Sequence, residues 1–590
     1  MTVRASDSQC EIRGVRMSAG LRERLSKLAR VTHDEGVAQP IVRSGVGNFS
    51  YRAAILCGGI DQHVSHSIFT VKQRSFEIAV YRQLVAPSMD FKLSHAVSTA
   101  LLAWLLLKIY RLVYNIFLHP LRRYPGPLCA AATTWWKTYI EVYTQQSMTD
   151  VLEYLHARYG DVVRTGPNEL HFSNPAAYND IYNSSARWDK EESLYCCFGE
   201  DRSSFGFLTY NEAKQRKDVL QPLFSRRAIT NMQGLIREKI DHLASVLTAR
   251  DATGKSSDLF FAFRCFTMDT ITAFCFAKSI DAMDAPEFKA PIVEAMEAAN
   301  PTFVLFKHFA LFRKLIFSLP PSLAMKFSPE TAGLTQLQVI LGQQVKEVYT
   351  NYESLSEAPH PIIYSRLLDP AAQNGHRVPV PGSLYEEGQA LMFAGTDTVG
   401  NTLMVGFFHI LDQPALQVRL REEVRRAWPE LSQPPDFQTL EKLPLLTAAI
   451  KEALRMASGV TTPLPRIVPP SGATIGKHAV PPGTIVGMSS IFVHYSAEIF
   501  PEPDNFDIER WLGKGVQSLD QWLIAFSKGP RSCLGINLAW CELYLAFATM
   551  LRKFDMKLDG TTRKDLVWRD TFLPYFYGKH LTAWCTPIAA

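Results

Sequence analysis

The sequence predicts a mainly α-helical protein with small β-sheets, preceded by a single apolar helix. Strand-like pieces with turns cluster at 473–487 and in the last thirty residues, whereas helical patterns dominate the rest. Hydrophobic residues make up 47% of the chain and aromatic residues 11%, which supplies a large core and excludes disordered, collagen-like and disulfide-stapled classes. Ten cysteines without a CxxC spacing indicate free thiols. The helical patterns lie at 231–249, 334–352, 383–411, 440–456 and 534–551.

The first long apolar stretch covers residues 91–118 and carries no charge from Ala96 to Leu107. It reaches membrane-spanning length when basic side chains at its far end extend to the boundary. Only Lys92 lies immediately before it, so the positive-inside rule places the C-terminal body on the cytoplasmic side of a single-pass anchor. A buried core helix is the alternative interpretation. The basic residues after the uncharged run are Lys108, Arg111, Arg122 and Arg123.

The net charge of +5 belongs to the N-terminal segment, because residues 1–88 hold 12 of the 62 basic and 7 of the 57 acidic residues. In the predicted orientation, the seven basic residues from Arg4 to Arg30 would have to cross the membrane. Met89 directly precedes the anchor. We therefore expect 1–88 to be a non-core extension that arises from an upstream start assignment. A nucleic-acid-binding arm is the rival, and the acidic residues argue against a transit peptide.

Residues 119–590 form one large predicted domain without a low-complexity linker or a repeat. Its helical stretch 383–411 contains Ala394-Gly395-Thr396-Asp397-Thr398 near the middle. The glycine and the two threonines weaken the helix there, because hydroxyls can bond to carbonyls one turn earlier. Such a local opening makes room for a small ligand and a water. An ordinary amphipathic helix is the alternative.

Two charged side chains lie three residues apart on the next long helical stretch, 440–456. Glu452 and Arg455 project to one side of that helix. Exposed ion pairs of this kind are common on helices. The pair therefore becomes informative only together with the loop that follows it in the chain.

The loop from Phe526 to Gly535 places a cysteine before the helical stretch 534–551. A Gly529-Pro530 turn presents Cys533 near the start of that helix, where amide donors and the positive helix end lower the pKa of a thiol. Gly535 permits close approach of a ligand, Phe526 can cover the sulfur and Arg531 can reach an anionic group. A thiolate in these surroundings suits an iron ligand. A structural cysteine in a turn is the alternative.

This loop resembles the haem-binding signature of cytochrome P450 monooxygenases, FxxGxRxCxG, and matches it at all five fixed positions. The resemblance implies a cytochrome P450 fold and a haem b (iron protoporphyrin IX) cofactor. It assigns Cys533 as the axial thiolate and metal ligand. Phe526, Gly529, Arg531 and Gly535 become cofactor-binding residues.

The same resemblance identifies the helix motif 394–398 as the family's oxygen-activation segment. It assigns Thr398 to a hydrogen bond with dioxygen and Asp397 to the proton relay, so both are predicted catalytic residues. Val399 departs from the Thr or Ser that often follows, which reduces the hydroxyl network. Glu452 and Arg455 match the family's ExxR pair, and Arg510 would complete a structural brace.

Haem carries two carboxylates, and the resemblance implies cationic partners for them. Arg531 is one candidate, and Arg466 matches the family's strand arginine. The family's WxxxR helix is altered here, because Ala213 replaces the tryptophan and Lys217 replaces the arginine. Lys217 remains a point charge, and Arg216 is the alternative cation.

The resemblance implies a haem-thiolate monooxygenase that hydroxylates or epoxidises a lipophilic small molecule. NADPH would supply electrons through a separate NADPH-cytochrome P450 reductase, with cytochrome b5 as a further donor, because no flavin domain or dinucleotide fingerprint is recognisable. The alternatives are a haem-thiolate isomerase or peroxygenase, which commonly lack the acid–threonine pair, and a non-catalytic haem sensor. No nucleic-acid partner is expected.

The overall sequence resembles those of fungal microsomal cytochrome P450 proteins of secondary metabolism. This resemblance implies an endoplasmic reticulum membrane location and favours a terpenoid substrate. The family's specificity segments map to 391–393, 458–464 and 572–577, and their apolar residues favour a lipophilic substrate. The phenylalanine-rich region 303–325 is interpreted mainly as core. Part of it is an alternative membrane-dipping lid.

Overall fold

The computed structural model describes residues 86–588 except 183–186, 321–322, 324–331, 352–354, 356–357 and 514–515. Almost all of the predicted extension 1–88 therefore lies outside the described residues. The described core lies within the unit Leu105–Ala590.

The described part is mainly helical, and its longest helix has 31 residues. The first ten helices are α1 Ala86–Val113, α2 Leu128–Ala132, α3 Trp135–Thr138, α4 Met148–Tyr159, α5 Pro175–Tyr182, α6 Glu192–Tyr195, α7 Tyr210–Leu220, α8 Arg226–Asp251, α9 Leu259–Phe276 and α10 Pro291–His308. The others are α11 Ala310–Ser318, α12 Ala332–Thr350, α13 Ile363–Leu368, α14 Pro381–Leu411, α15 Pro414–Ala427, α16 Phe437–Leu440, α17 Pro444–Ala457, α18 Ile491–His494, α19 Val516–Asp520 and α20 Ile536–Lys553.

Four small sheets accompany the helices. The largest has the order β1-β2-β8-β5-β3, and only its β2–β8 pair is parallel. A second sheet has the order β4-β12-β9, and β6-β7 and β10-β11 are two-stranded. The strands are β1 Val162–Gly166, β2 Glu169–Phe172, β3 Asp189–Lys190, β4 Ser257–Asp258, β5 Arg466–Ile467, β6 Ala473–Ile475, β7 His478–Val480, β8 Ile485–Gly487, β9 Phe554–Leu558, β10 Trp568–Asp570, β11 Pro574–Phe576 and β12 Thr582–Pro587.

The predicted class, mainly helical with small sheets, is confirmed. The five predicted helical stretches correspond to α8, α12, α14, α17 and α20. Six of the twelve described strands, β6–β8 and β10–β12, lie in the two predicted clusters, whereas β1–β5 and β9 lie outside them. The sequence pattern did not single out α9, since every one of its residues is buried and it therefore shows no polar face. The periodicity that marks a surface helix is absent from a helix surrounded by core.

Helices α9 and α14 pack closely along one another and form the centre of the main core. Pro381 begins α14 at the position where its missing amide and fixed φ are favourable. At Gly395 the helices approach so closely that a Cβ atom would lie 2.8 Å from Ile271 Cγ1. This close packing fixes the segment of α14 that carries the 394–398 motif.

The predicted anchor begins, as a helix, at Ala86. From His95 to Leu118 it is apolar, with a mean hydropathy of 1.6, and none of that window is buried. The alternative of a buried core helix is therefore wrong for these residues. By contrast, α9 meets the same apolar criterion and is completely buried, as expected of a core helix.

The phenylalanine-rich region 303–325, which was interpreted mainly as core and in part as a membrane-dipping lid, contains both buried and exposed side chains among its described residues. Phe303 and Phe306 on α10 are buried in the main core. On α11, Leu311 and Leu315 are exposed, at 83% and 55%. The core interpretation is therefore confirmed for the first part, while the exposed face of α11 is compatible with a membrane-facing lid.

Candidate active site

A cavity of about 750 Å³ lies beside the Cys533 loop and α14. It unites residues that are far apart in the chain, from α7, β5, α14 and the loop before α20. All nine residues predicted to bind the cofactor or take part in catalysis line it: Lys217, Asp397, Thr398, Arg466, Phe526, Gly529, Arg531, Cys533 and Gly535.

The Cys533 loop is a short, tightly closed turn. Gly529 has a φ of 73°, which favours glycine, and the Cys533 amide donates to the Phe526 carbonyl at 2.9 Å. Helix α20 begins directly afterwards, with Gly535 as its N-cap. Protein surrounds Cys533, yet the residue has accessible surface, because that surface faces the cavity.

Burial raises the pKa of the Cys533 thiol, while the Gly535 amide and the Lys217 ammonium oppose that shift. The expectation that the loop by itself lowers this pKa is therefore wrong. The free-energy cost of removing a thiolate from water exceeds the stabilisation that one amide donor and one neighbouring cation provide. A metal cation at the sulfur would reverse the balance, since a coordinating thiol is deprotonated outright.

Thr398 and Asp397 occupy different environments on α14. The Thr398 side chain is accessible from the cavity, and its hydroxyl donates to the Ala394 carbonyl at 2.8 Å. Asp397 is buried, and its Oδ1 accepts a hydrogen bond from Arg264 Nε at 3.1 Å. Its Oδ2 has no hydrogen-bond partner among the described residues. Burial raises the pKa of Asp397, and Arg264 opposes the shift.

Arg264 is a site-supporting residue that the sequence analysis missed. It lies in the buried helix α9, donates to Asn401 and lies 4.0 Å from Glu297 Oε2. Burial raises the pKa of Glu297 to about 7, with Arg264 opposing. The available signal was an arginine within the strongly apolar run 259–266, because a buried cation needs a partner.

The predicted brace is present outside the cavity wall. Glu452 is fully buried and accepts from Arg455 Nε at 2.9 Å and from Arg510 Nε at 3.1 Å. The Trp511 indole donates to the same carboxylate at 2.8 Å. Arg455 also donates to the carbonyl of His494, whose ring accepts from the Ile524 amide just before the Cys533 loop. The brace thus connects α17 to the segment that enters this loop.

Cationic side chains gather in the cavity wall near Cys533. Lys217 Nζ donates to the carbonyls of Pro530 and Ser532 at 3.0 and 3.1 Å, so it contacts the loop directly. Arg531 donates to the carbonyls of Phe207 and Leu208. Its Nε is buried without a hydrogen-bond partner in the described part of the chain.

Lys190 is a further cation of this group, and no sequence motif indicated it. It pairs with Arg466 across β3 and β5, and its ammonium donates to the Phe205 carbonyl. Burial, Arg531 and Arg466 together hold the pKa of Lys190 well below its usual range. Within the described ranges, none of Lys190, Lys217, Arg466 and Arg531 has a carboxylate within 4 Å.

Arg216 is excluded as the alternative to Lys217. Its guanidinium is buried and donates to Glu387 Oε2 at 2.7 Å and to Ser383 Oγ at 2.8 Å. These contacts occupy it on α14, and it does not line the cavity. Two buried and two half-buried cations without acid partners line a cavity that also exposes a cysteine sulfur. This set matches the charges of haem, which combines a central iron cation with two peripheral carboxylates.

The predicted specificity segments also meet at this cavity. Leu391 and Phe393 line it from α14, and Phe572 lines it from the C-terminal segment. Met392, in contrast, is buried in the core. From the segment 458–464, the lining residues are Ser458, Gly459, Val460, Thr462 and Leu464.

A family model and several known proteins match this chain over most of its length. The sequence model of the family described as Cytochrome P450 matches residues 127–572. Cytochrome P450 monooxygenase flvC of Aspergillus flavus is 35% identical over 530 residues, covering 84% of this chain and 97% of the relative. Cytochrome P450 monooxygenase macH of Penicillium terrestre is 34% identical, covering 80% and 94%. Tryptophan 6-hydroxylase fscE of Fusarium equiseti is 33% identical, covering 77% and 89%.

Proposed function

The chain belongs to the cytochrome P450 family and is a monooxygenase, and on that premise we propose that the cavity beside Cys533 binds haem and a lipophilic substrate. The observation that carries the proposal is the convergence of all nine predicted site residues on one cavity. The overall reaction inserts one atom of dioxygen into a C–H or C=C group and reduces the other to water. Two electrons and two protons complete the balance.

Haem, when bound, supplies the redox chemistry that activates dioxygen, with a cysteine thiolate donating electron density. Cys533 provides that thiolate. The four cations without acid partners, Lys190, Lys217, Arg466 and Arg531, neutralise the two carboxylates of the cofactor. Phe526, Gly529 and Gly535 shape the loop around the sulfur.

Asp397 and Thr398 are the residues to which we assign the delivery of protons to the cavity. The hydroxyl of Thr398 donates a hydrogen bond to a carbonyl of its own helix and is also open to the cavity. It can therefore change its acceptor without a backbone movement. Asp397 has one carboxylate oxygen bound by Arg264 and a second oxygen available to a proton. The pair therefore connects the α9–α14 interface to the cavity.

The substrate class follows from the cavity walls. Many side chains of the cavity wall are apolar, and they exclude water and bind a substrate mainly by shape. A terpenoid or other secondary-metabolite intermediate remains the prediction from the sequence. Representative apolar lining residues are Phe198, Ile271, Phe303, Leu391, Phe393 and Phe572.

Electrons reach the site from NADPH through a separate reductase, with cytochrome b5 as a second donor. The exposed apolar window His95–Leu118 supports single-pass anchoring in the endoplasmic reticulum membrane with the catalytic domain on the cytoplasmic side. The exposed leucines of α11 support a further contact of the domain with the lipid surface.

Co-expression with a reductase in a terpene-producing host tests the proposed reaction. Under isotopically labelled dioxygen, we expect a product that gains one labelled oxygen atom. The Cys533→Ser variant should form none of it. Turnover without incorporation of labelled oxygen, as an isomerase would show, would contradict the proposal.

A further inference from the structure

Glu200 is a buried acid that the proposed chemistry does not use. It lines the same cavity and is only 3% exposed. Gln389 Nε2 donates to its Oε1 at 3.3 Å, a longer bond than the 2.8 Å bond that the same nitrogen makes to the Phe198 carbonyl. This is the only hydrogen bond of the Glu200 side chain within the described part of the chain, and it leaves Oε2 unused. Glu200 therefore has hydrogen-bonding capacity left over inside a cavity.

Glu200 also lacks a nearby cation that would stabilise its charged form. Its three acidic neighbours each have an arginine within 4 Å, whereas no cation lies that close to Glu200 in the described part of the chain. Burial and these three acids raise the pKa of Glu200 well above its ordinary range. Lys190 interacts with it only from beyond 4 Å. The neighbouring pairs are Glu386 with Arg202, Glu387 with Arg216 and Asp201 with Arg313.

The wall around Glu200 is aromatic. The ring of Phe198 packs 4.8 Å from those of Phe303 and Phe572, and all three residues line the cavity. Faces of aromatic rings attract cations, and a desolvated carboxylate attracts them more strongly. The cations of the cavity wall, in contrast, lie where the proposal assigns the carboxylates of the cofactor. The cavity thus offers the substrate a buried acid whose charged form a bound cation would stabilise.

We propose that Glu200 binds a basic nitrogen of the substrate, so that the preferred substrates are largely apolar molecules carrying an ammonium group. This inference rests on the proposed function, because the cation must share the cavity with haem. On binding, the ammonium replaces the carboxyl proton of Glu200, which leaves to solvent. An amine-bearing terpenoid satisfies both this inference and the substrate class predicted from the sequence.

Spectral titration of the haem-loaded enzyme tests the inference with two matched probes. The first is a phenylbutyl trimethylammonium ion, and the second is its neutral isostere in which a carbon atom replaces the nitrogen. A quaternary nitrogen cannot ligate iron or donate a hydrogen bond, so the pair isolates the effect of charge. We expect the wild-type enzyme to bind the ammonium probe at least about tenfold more tightly than the isostere.

Glu200→Gln should remove this preference and leave the affinity for the isostere within about twofold. The control is Asp201→Asn, which changes an adjacent acid whose side chain is 51% exposed and does not line the cavity, and which should keep the preference. Equal binding of the two probes by the wild type, or a preference that survives Glu200→Gln, would overturn the inference. If Glu200→Gln fails to retain haem, the wild-type enzyme alone provides the test. A wild-type affinity for the ammonium probe that is no higher than that for the neutral isostere would then overturn the inference.

The reduced, CO-bound spectrum separates the two levels of failure. A wild-type enzyme without a thiolate-type spectrum would contradict the proposed function itself. A wild-type enzyme with that spectrum and no ammonium preference would contradict only the role of Glu200.

Discussion

The charge of Asp397 depends on a single arginine. Arg264 is fully buried, donates to Oδ1 and lies with its guanidinium carbon 3.5 Å from the centre of the Phe260 ring. Because Oδ2 remains without a described partner, the carboxylate is positioned at one oxygen and free to exchange a proton at the other. This asymmetry suits a relay better than a purely structural ion pair, in which both oxygens would be bound.

Thr398→Ala tests the relay at its cavity end. We expect NADPH consumption to continue while product per NADPH falls by about an order of magnitude or more, since proton delivery loses its hydroxyl. Thr398→Ser should restore most of the coupling. The control is Thr396→Val, because the Thr396 hydroxyl faces Met268 and does not line the cavity. Unchanged coupling in Thr398→Ala would remove Thr398 from the relay.

Glu297 predicts a pH-dependent contribution to stability. Burial raises its pKa from 4.5 to about 7, although Arg264 opposes the shift. The protonated form therefore favours the fold, and this contribution is complete below about pH 4.5 and is lost as the pH rises through about 7. Its full size is about 3 kcal/mol.

Thermal midpoints at pH 5 and pH 8 measure this contribution. Glu297→Gln, which mimics the protonated form, should gain stability relative to the wild type at the higher pH only. Glu294→Gln on the same helix is the control, because Glu294 is exposed. A wild-type midpoint that falls no more than that of Glu297→Gln would contradict the prediction.

Among individual residues, the sequence indicated those that belong to motifs and missed those that act through burial. Cys533, Arg531 and Thr398 were identified because fixed spacing marks them. Lys190 and Arg264 could not be found in the same way, because their roles follow from which strand or helix packs beside them. The pKa of Cys533 was misjudged for the same reason, since burial cannot be read from the loop alone.

At the scale of elements, the brace joins helix α17 to the segment containing Arg510 and Trp511. Glu452 accepts hydrogen bonds from both of these side chains and from the backbone amide of Asp507. A carboxylate desolvated to this extent is stable only while its partners remain, and burial opposes the lowering of its pKa that Arg455 and Trp511 produce. The brace is therefore a structural device whose loss should loosen the cysteine loop.

Removing the Glu452 side chain should destabilise the fold by about 3–5 kcal/mol, because Arg455 would remain as an unpaired buried charge. We expect Glu452→Ala to lose haem on gel filtration and to melt at a lower temperature. Glu422→Gln, in an exposed pair with Arg426, is the matched control and should change stability by less than about 1 kcal/mol. Full haem retention by Glu452→Ala would contradict the assignment.

A polar face did not by itself decide which helices were predicted, because α14 was predicted although most of its residues are buried, and the amphipathic α15 was not. The patterns at 231–249 and 383–411 matched α8 and α14 closely. Helix α9 has no polar face, yet it positions Arg264 and packs along α14. The element that fixes the geometry of the relay was therefore among the helices that the sequence pattern did not indicate.

At the scale of the whole molecule, the apolar window His95–Leu118 predicts a membrane protein. Asn115 Nδ2 donates to the Ala132 carbonyl, so a chain that begins at Tyr114 keeps this contact within the domain. We expect that truncated chain to leave the membrane fraction after a carbonate wash, while the full chain stays with endoplasmic reticulum markers. Both should retain the same reduced, CO-bound spectrum. A full chain released by the same wash would contradict the anchor.

The proposed chemistry depends above all on Cys533 as the thiolate ligand of haem in the cavity. The most direct measurement is the difference spectrum of the dithionite-reduced, CO-bound enzyme. We expect the red-shifted Soret band of thiolate-ligated haem in the wild type and in Cys129→Ser, which changes an exposed cysteine, and its loss in Cys533→Ser. A wild-type Soret band at the position of histidine-ligated haem, or a thiolate band that persists in Cys533→Ser, would contradict it.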